Sequence, residues 1–233
     1  MKPSDSEIVV NAKQKIDKFN EIGLHYNLVA NQICEKRRGT DPLDESFLPY
    51  IIAGLISFDM GRGGMMGNKP YEMKGDHFAS RLNRKLQSVR PLLKPLMNTT
   101  LTQIDLQQQR ASIIEAYNAL SARGSGALHM DSKSKKSFHV GTTKILHFLN
   151  PRLFIIIDSN AARAFKMAHS LPFKNSTQPG YSAELYIKCM ECARNDILEY
   201  GLEDFKALDK PGVHITRIYD KLTFVTGYDL SQK

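Results

Sequence analysis

The chain has 233 residues, of which 42% are hydrophobic and 24% charged, and this composition excludes an intrinsically disordered or collagen-like protein. Lysine and arginine number 32 against 24 acidic residues, and the resulting net charge of +8 favours a polyanionic partner such as nucleic acid. No apolar run approaches the length of about 18 residues that a membrane span needs. Residues 1–7 lack the apolar stretch of a secretory signal, which predicts a cytoplasmic protein.

Apolar residues recur every three to four positions along most of the chain, which is typical of helices that bury one face. The first helical region covers residues 5–36 and is divided by Gly23. Further helices are predicted at residues 47–58, 77–97, 101–120, 142–149, 159–169, 183–200, 202–208 and 213–228. The prediction is an all-α protein of about ten short helices, with residues 1–233 forming a single helical unit or two lobes.

Two segments suggest ligand contacts before any motif is considered. Residues 61–67 contain four glycines beside Arg62, and this pattern favours either a structural turn or a close approach to a ligand phosphate. Residues 77–97 form a basic amphipathic helix, which Pro91 is expected to end or kink. The candidate DNA-backbone contacts in and near these segments are Arg62, Arg81, Arg84, Lys85, Lys135 and Lys136.

The three cysteines do not predict a disulfide framework or a metal site. Cys189 and Cys192 form a CxxC pair, but no second pair supplies the four ligands that zinc or an iron–sulfur cluster requires. The pair falls in a predicted helix, where both residues are expected to pack. The motifs of metalloproteases, α/β-hydrolases and dinucleotide-binding enzymes are absent from the sequence, and no cofactor is predicted.

Residues 138–165 carry the most specific pattern: a glycine turn, a helix, an extended apolar run, an acid and a second helix. Free backbone N–H groups at the first helix N-terminus would bind an anion such as a DNA phosphate. Asp158 precedes the second helix, where its carboxylate either caps the helix or takes part in chemistry. The candidate DNA-binding residues of this segment are His139, Val140, Gly141, Thr142, Thr143 and Lys144.

This segment resembles the helix-hairpin-helix DNA glycosylase superfamily. In that family a glycine-containing hairpin holds a phosphate, and an aspartate at the start of a later helix does the chemistry. Gly141 matches the second hairpin glycine, and Asp158 matches the aspartate. His139 stands where the family often has its first glycine. The resemblance implies an all-α glycosylase-like fold, double-stranded DNA as partner and Asp158 as the catalytic carboxylate.

One departure from the family pattern bears on mechanism. Bifunctional members carry a nucleophilic lysine two residues after the second glycine, and Thr143 occupies that position here. Lys144 is the next residue, and one helical step rotates a side chain by about 100°. The resemblance therefore implies a monofunctional enzyme, in which Asp158 stabilises the sugar cation and assists a water molecule while the base is flipped out.

Other residues have simpler interpretations. His147 is expected to be a core histidine, and Tyr117 is expected to pack in the core or to stack on a flipped base. The last helix carries charged residues at i, i+3 and i+4, namely Arg217, Asp220 and Lys221, and this spacing predicts a surface ion pair.

Three hypotheses follow from the sequence. The chain is a DNA N-glycosylase of base excision repair, a catalytically silent DNA-binding module of the same fold, or a ligand- or protein-interaction domain that uses the 61–67 loop. The sequence does not decide the oligomeric state.

Overall fold

The structure is a computed structural model that describes residues 6–57, 78–122, 128, 138–174 and 180–232, without the side chains of residues 24–26. Within these ranges it contains ten α-helices and no β-strand, which confirms the predicted all-α class. The helices are α1 (Ala12–Ile22), α2 (Leu24–Arg37), α3 (Leu48–Ser57), α4 (Phe78–Leu93), α5 (Arg110–Ser121), α6 (His139–Leu149), α7 (Ser159–His169), α8 (Ala183–Tyr200), α9 (Leu202–Lys206) and α10 (Ile215–Ser231). Short 3₁₀ turns cover Glu45–Phe47 and Lys94–Leu96.

Helix α10 is the central element of the fold. It packs mainly on α7 and α1, and it also touches α8 and α9. Around it, α4 packs on α5, α2 packs on α3, and α6 lies between α3 and α5. Buried apolar residues from Ile8 to Leu222 form one continuous cluster. No helix in the described ranges is both long enough and apolar enough to cross a membrane.

The predicted helix at residues 101–120 is wrong in its first half, because residues 101–109 form turns and α5 starts at Arg110. The Asp105 carboxylate accepts hydrogen bonds from the backbone N–H groups of Gln107 and Gln108, both at 3.0 Å. The N–H of Leu101 is bonded to the carbonyl oxygen of Arg152 at 2.9 Å. These bonds take up backbone groups that a continuous helix would use.

The last helix also differs from its prediction, because α10 is buried on nearly all sides at residues 216–223. The Arg217–Asp220 ion pair exists, but both residues are less than 10% exposed, so the expected surface pair is wrong. Lys221 instead pairs with Asp209 in a second buried contact. The Arg217–Asp220 pair is buried because neighbouring elements cover the polar face of α10 in the folded protein.

Candidate functional site

Asp158 is the N-cap residue of α7. Its Oδ1 accepts hydrogen bonds from the N–H groups of Asn160 at 2.8 Å and Ala161 at 2.9 Å. The preceding apolar run, residues 153–157, is extended and buried as predicted, and it brings the chain out at the half-buried Asp158. The sequence left capping and chemistry as alternatives, and the geometry establishes the cap. The second carboxylate oxygen, Oδ2, takes no part in these two bonds.

The N-terminus of α6 differs in detail from the predicted glycine turn. The helix starts at His139, so Gly141 is its third residue and does not form a turn. A Cβ at Gly141 would lie 2.1 Å from the ring of Phe138, so only glycine lets that ring pack over the first turn. The N–H of Thr142 already donates to the carbonyl of Phe138 at 2.8 Å. The N–H groups of residues 140 and 141 in the first turn have no acceptor within α6, and the N-cap residue Phe138 has no polar side chain to cap them.

The side chains of Thr142 and Thr143 are buried, so they are placed for structure and not for contact with a ligand. The hydroxyl of Thr143 donates to the carbonyl of Val140 at 2.9 Å and accepts from the N–H of Ile157 at 3.1 Å. This link fixes the start of α6 beside the residue that precedes Asp158. The N-terminal end of α6 and the Asp158 cap therefore belong to one connected substructure.

Lys144 is also buried, with 8% of its surface exposed, and it shares one electrostatic environment with two carboxylates. The positive charge of Lys144 lowers the pKa of Asp220 on α10, whereas the negative charge of Asp158 raises it. Sequence reasoning left the direction of Lys144 open. Lys144 of α6 and Asp158 of α7 both influence the ionisation of Asp220 on α10, which forms an ion pair with Arg217, and we call these four residues the charge cluster.

Asp220 is the titratable member of the charge cluster that sequence reasoning missed as a site residue. Burial raises its pKa to about 6, together with the nearby Asp158 carboxylate, although Arg217 and Lys144 act to lower it. A carboxyl group that titrates near neutral pH beside a second carboxylate has the properties of an acid–base pair. No sequence signal marked Asp220, because its burial comes from packing against α1 and α7.

An aromatic cluster lies beside the start of α6. The Tyr117 ring stacks on His139 at a centroid distance of 5.7 Å and on Tyr186 at 5.1 Å, and Tyr181 lies 5.9 Å from His139. These tyrosines and Ile157, the neighbour of Asp158, line a depression that does not admit a water molecule. Tyr117 is 1% exposed, so in this conformation it is a core residue.

A basic cleft, absent from the sequence predictions, lies between α2, the end of α6 and the start of α10. A cavity of about 40 Å³ is lined by Cys34, His147, His214 and Arg217, among others. Burial lowers the pKa of His214 to about 4, and the positive charges of Arg152, Arg37 and Arg38 lower it further.

Arg37, whose charge acts on His214, and the cleft residue His147 also have structural bonds. Arg37 donates to the carbonyl oxygens of Leu149 at 2.7 Å and Met97 at 2.8 Å, so it ties α2 to the end of α6. His147 is a core residue as predicted, with its Nδ1 2.7 Å from the carbonyl of Phe154, and burial lowers its pKa to about 3. The only sequence trace of the cleft is the basic end of the first helical region.

The remaining candidate DNA contacts differ in how much of each side chain is exposed. Arg84 is exposed on α4, whereas Arg81 is 3% exposed and cannot meet DNA without rearrangement. Lys85 donates its Nζ to the carbonyl of Ala119 at the end of α5, and burial lowers its pKa. The α4 face that carries Arg81 and Lys85 is therefore used largely inside the protein, so the prediction that these two residues contact DNA is wrong for this conformation, whereas Arg84 is at the surface. Arg62, Lys135, Lys136 and the 61–67 loop lie outside the described residues.

No group of three or more metal-ligating side chains was found among the described residues. The cysteines there are free thiols, and Cys189 is buried in α8 as expected for a helix residue. No known family model, curated protein or solved structure matches the chain.

Proposed function

We propose that the chain binds double-stranded DNA and acts as a monofunctional N-glycosylase, with Asp158 as the catalytic carboxylate. The observation that carries the proposal is the fixed Asp158 carboxylate at the start of α7, which is near enough to the buried Asp220 of α10 to raise its pKa. The hydrogen bond between Thr143 and Ile157 holds the Asp158 region beside the first turn of α6. Two coupled carboxylates beside an anion-binding helix end are suited to hydrolysis of a nucleoside bond in DNA.

The chemistry assigned to Asp158 uses the carboxylate oxygen outside the cap. As the bond between C1′ and the base nitrogen breaks, the base leaves with the electron pair and takes up a proton. The negative charge of Asp158 stabilises the positive charge that develops on the sugar. A water molecule then forms a bond to C1′ and gives its proton to the Asp158 carboxylate, which passes it to solvent and so replaces the proton that the base took up from solvent. Because the α7 backbone holds Oδ1, the group is positioned before the substrate arrives.

Affinity for the DNA backbone is assigned to two regions of positive potential. One is the N-terminal turn of α6, where backbone N–H groups and the helix dipole favour a phosphate. The other is the basic cleft, where the positive charges of Arg152, Arg37 and Arg38 lower the pKa of His214. The aromatic cluster around Tyr117 is the candidate receptor for a flipped base, and its rings must separate to admit one.

The decisive experiment measures base release from duplex oligonucleotides that carry uracil, 8-oxoguanine, alkylated purines or mismatches. Asp158→Asn keeps an N-cap side chain but removes the negative charge, so the helix is expected to persist. We expect wild-type protein to release a base and the variant to be slower by about 100-fold or more. The matched control is Asp105→Asn, because Asp105 also accepts two backbone N–H bonds through one oxygen.

Base release that survives Asp158→Asn undiminished would remove Asp158 from the mechanism. Equal losses in both variants would show a general effect of lost charge and would also count against it. Release from none of the substrates, with duplex binding intact, would favour the second candidate function, a DNA-binding module without catalysis.

The second candidate is supported by the closed aromatic cluster and by the structural use of Asp158 as a cap. It predicts that duplex affinity falls steeply with salt, because phosphate contacts release counterions. It further predicts that Arg152→Gln weakens binding to all sequences alike, since a phosphate contact carries no sequence information. Binding that does not depend on salt would exclude both DNA-based functions.

A further inference from the structure

The cavity of the basic cleft is accessible from solvent and reaches into the protein. Its volume of about 40 Å³ holds a group the size of a few water molecules, since one water needs about 10–15 Å³. The wall includes His147 and Arg217, which are 3% and 6% exposed. At the rim, Asn31 and Gly212 are exposed, and a Cβ at position 212 would meet no atom within 4 Å. A small group can therefore enter here and meet two buried polar side chains.

On its α2 side the cavity is bordered by two arginines. Asn31 and Cys34 line it, and Arg38 follows at the same helical spacing with a helical backbone, so it lies along the same side of α2. Arg37 is held at the end of α6 by its two bonds to carbonyl oxygens, which use Nε and Nη2 but not Nη1. Both guanidinium groups therefore keep N–H donors that these bonds do not use.

Two further arginines come from other elements. Arg217 of α10 is part of the wall, and its Nη1 is paired with Asp220. Arg152 directly follows the lining residue Pro151, and its Nε is buried without a hydrogen-bond partner in the described part of the chain. No aspartate or glutamate is found among the described residues that line the cavity. Four arginines therefore border a cavity whose own wall carries no negative charge.

Two histidines complete the wall of the cavity. Nδ1 of His147 lies 2.7 Å from the carbonyl oxygen of Phe154, and because a carbonyl only accepts, Nδ1 carries the proton and Nε2 keeps its lone pair. His214 is the N-cap residue of α10, but its side chain does not cap the helix. Burial lowers the pKa of both imidazoles, so both are neutral at pH 7. An anion in the cavity would favour a proton on either ring and so add a donor.

Donors that come from several elements favour an anion with several oxygens. A carboxylate has two oxygens in one plane, which a single arginine satisfies in a bidentate contact. A phosphomonoester has three terminal oxygens and a charge of about −2 near neutral pH, so it can accept from arginines on α2, on the α6–α7 connection and on α10. Its single ester substituent can leave through the rim. An internal phosphodiester has two substituents, which would both have to pass the same rim.

We propose that the basic cleft binds a terminal phosphate, a phosphomonoester carried by a nucleotide or by the end of a DNA strand. This proposal deepens the role of the cleft in DNA binding, and it rests on the proposed function only in that the phosphate belongs to nucleic acid. Arg38 and Arg152 donate to the phosphate at the rim. The imidazoles of His147 and His214 lie in the wall that encloses it.

The first test measures the binding of deoxyadenosine 5′-monophosphate and of deoxyadenosine to the folded full chain by isothermal titration calorimetry. We expect the monophosphate to bind at least about tenfold more tightly, because the nucleoside lacks the charged group. Arg38→Gln and His214→Gln should each weaken binding of the monophosphate about tenfold, the loss of one charge-assisted hydrogen bond. Neither side chain is buried, so both variants are expected to fold.

The matched control is Lys188→Gln. It removes one positive charge, as Arg38→Gln does, but from an exposed position on α8, and no residue of α8 lines the cavity. Its affinity for the monophosphate should equal that of wild type. An equal loss in Lys188→Gln and Arg38→Gln would show a general effect of net charge and would count against the site.

A second test separates the two sources of the phosphate. Two duplexes of one sequence are compared, one with 5′-phosphate ends and one with 5′-hydroxyl ends. Tighter binding of the phosphorylated duplex that is lost in His214→Gln would assign the site to DNA strand ends. Equal binding of the two duplexes, together with tight binding of the monophosphate, would assign it to free nucleotides.

Two results would overturn the proposal. One is a monophosphate that binds wild-type protein no more tightly than the nucleoside, while phosphorylation of the duplex has no effect; this comparison needs no variant. The other is an unchanged affinity in folded Arg38→Gln and His214→Gln. None of these measurements uses base release. A failure of phosphate binding therefore leaves the role of Asp158 untouched, and an inactive glycosylase leaves the phosphate site in place.

Discussion

The contact between α7 and α10 offers a sharp test of the packing that holds Asp158. Gly227 of α10 faces the backbone of Asn160, in the first turn of α7. A Cβ at position 227 would lie 1.9 Å from the carbonyl oxygen of Asn160, 2.5 Å from its carbonyl carbon and 2.8 Å from its Cα. Ordinary contacts begin near 3.4 Å, and backbone atoms cannot rotate aside as a side chain can. Gly227→Ala must therefore push the two helices apart.

The expected cost follows from two opposing effects. Alanine in a helix interior is favoured over glycine by about 0.5–1 kcal/mol. Overpacking of a tight contact costs about 1–3 kcal/mol or more, and a clash with backbone belongs at the upper end. We expect a net loss of about 2 kcal/mol in the free energy of unfolding, which corresponds to a melting temperature about 4–8 °C lower for a chain of this length.

The assay is thermal and urea unfolding followed by circular dichroism. Gly39→Ala is the control, because a Cβ there would meet no atom within 4 Å, and its effect should stay within about 0.5 kcal/mol. The Gly227 variant should also lose base release, since it displaces the turn that Asp158 caps. A Gly227→Ala protein as stable as wild type would refute the close approach of α7 and α10.

Three further predictions concern the cap and two histidines. Asp158→Ala should lower the free energy of unfolding by about 1 kcal/mol while Asp158→Ser changes it little, because serine keeps a cap acceptor; equal losses in urea unfolding would contradict this. Nε2 of His169 lies 3.0 Å from Oδ2 of the buried Asp196. His169 has a pKa of about 10 when folded and about 6.5 when unfolded, so its stabilising contribution is complete below pH 6.5 and is lost as the pH rises through 10. The stability gap between wild type and His169→Gln should accordingly shrink between those limits in pH-dependent melting, and a constant gap would count against the pairing with Asp196. His147 shows the opposite pH dependence, because its pKa of about 3 in the folded protein lies below the unfolded value. Its contribution to stability is present above pH 6.5 and is lost as the pH falls towards 3. The stability of His147→Gln should therefore depend less on acid pH than that of wild type.

In the segment from α6 to α7, local sequence patterns predicted some features of the structure but not others. The extended apolar run, Asp158 and the following helix were all predictable, because helix periodicity, capping chemistry and apolar runs are local properties. The start of α6 was not, since the glycine that suggested a turn instead makes room for the ring of Phe138. The start of α6 therefore depends on how the ring of Phe138 packs over the helix.

The burial of the Arg217–Asp220 ion pair could not be predicted from the sequence. Composition determined that the protein is basic, the periodicity of apolar residues predicted its helices, and spacing placed Arg217 and Asp220 one turn apart. Whether such a pair lies in water or in the core depends on what covers the helix, and here α10 runs through the middle of the fold.

Two groupings of titratable side chains were decided only by tertiary structure. Asp220 reaches Asp158 from a helix 62 positions further along the chain, and His169 reaches Asp196 across 27 positions. Contacts at such separations leave no periodic trace, because each helix satisfies its own local pattern whichever neighbour it meets. The sequence by itself determined most of the helices and the net charge, because both depend on local pattern and composition, while the packing of α10 against α7 and α8 decided which side chains lie together.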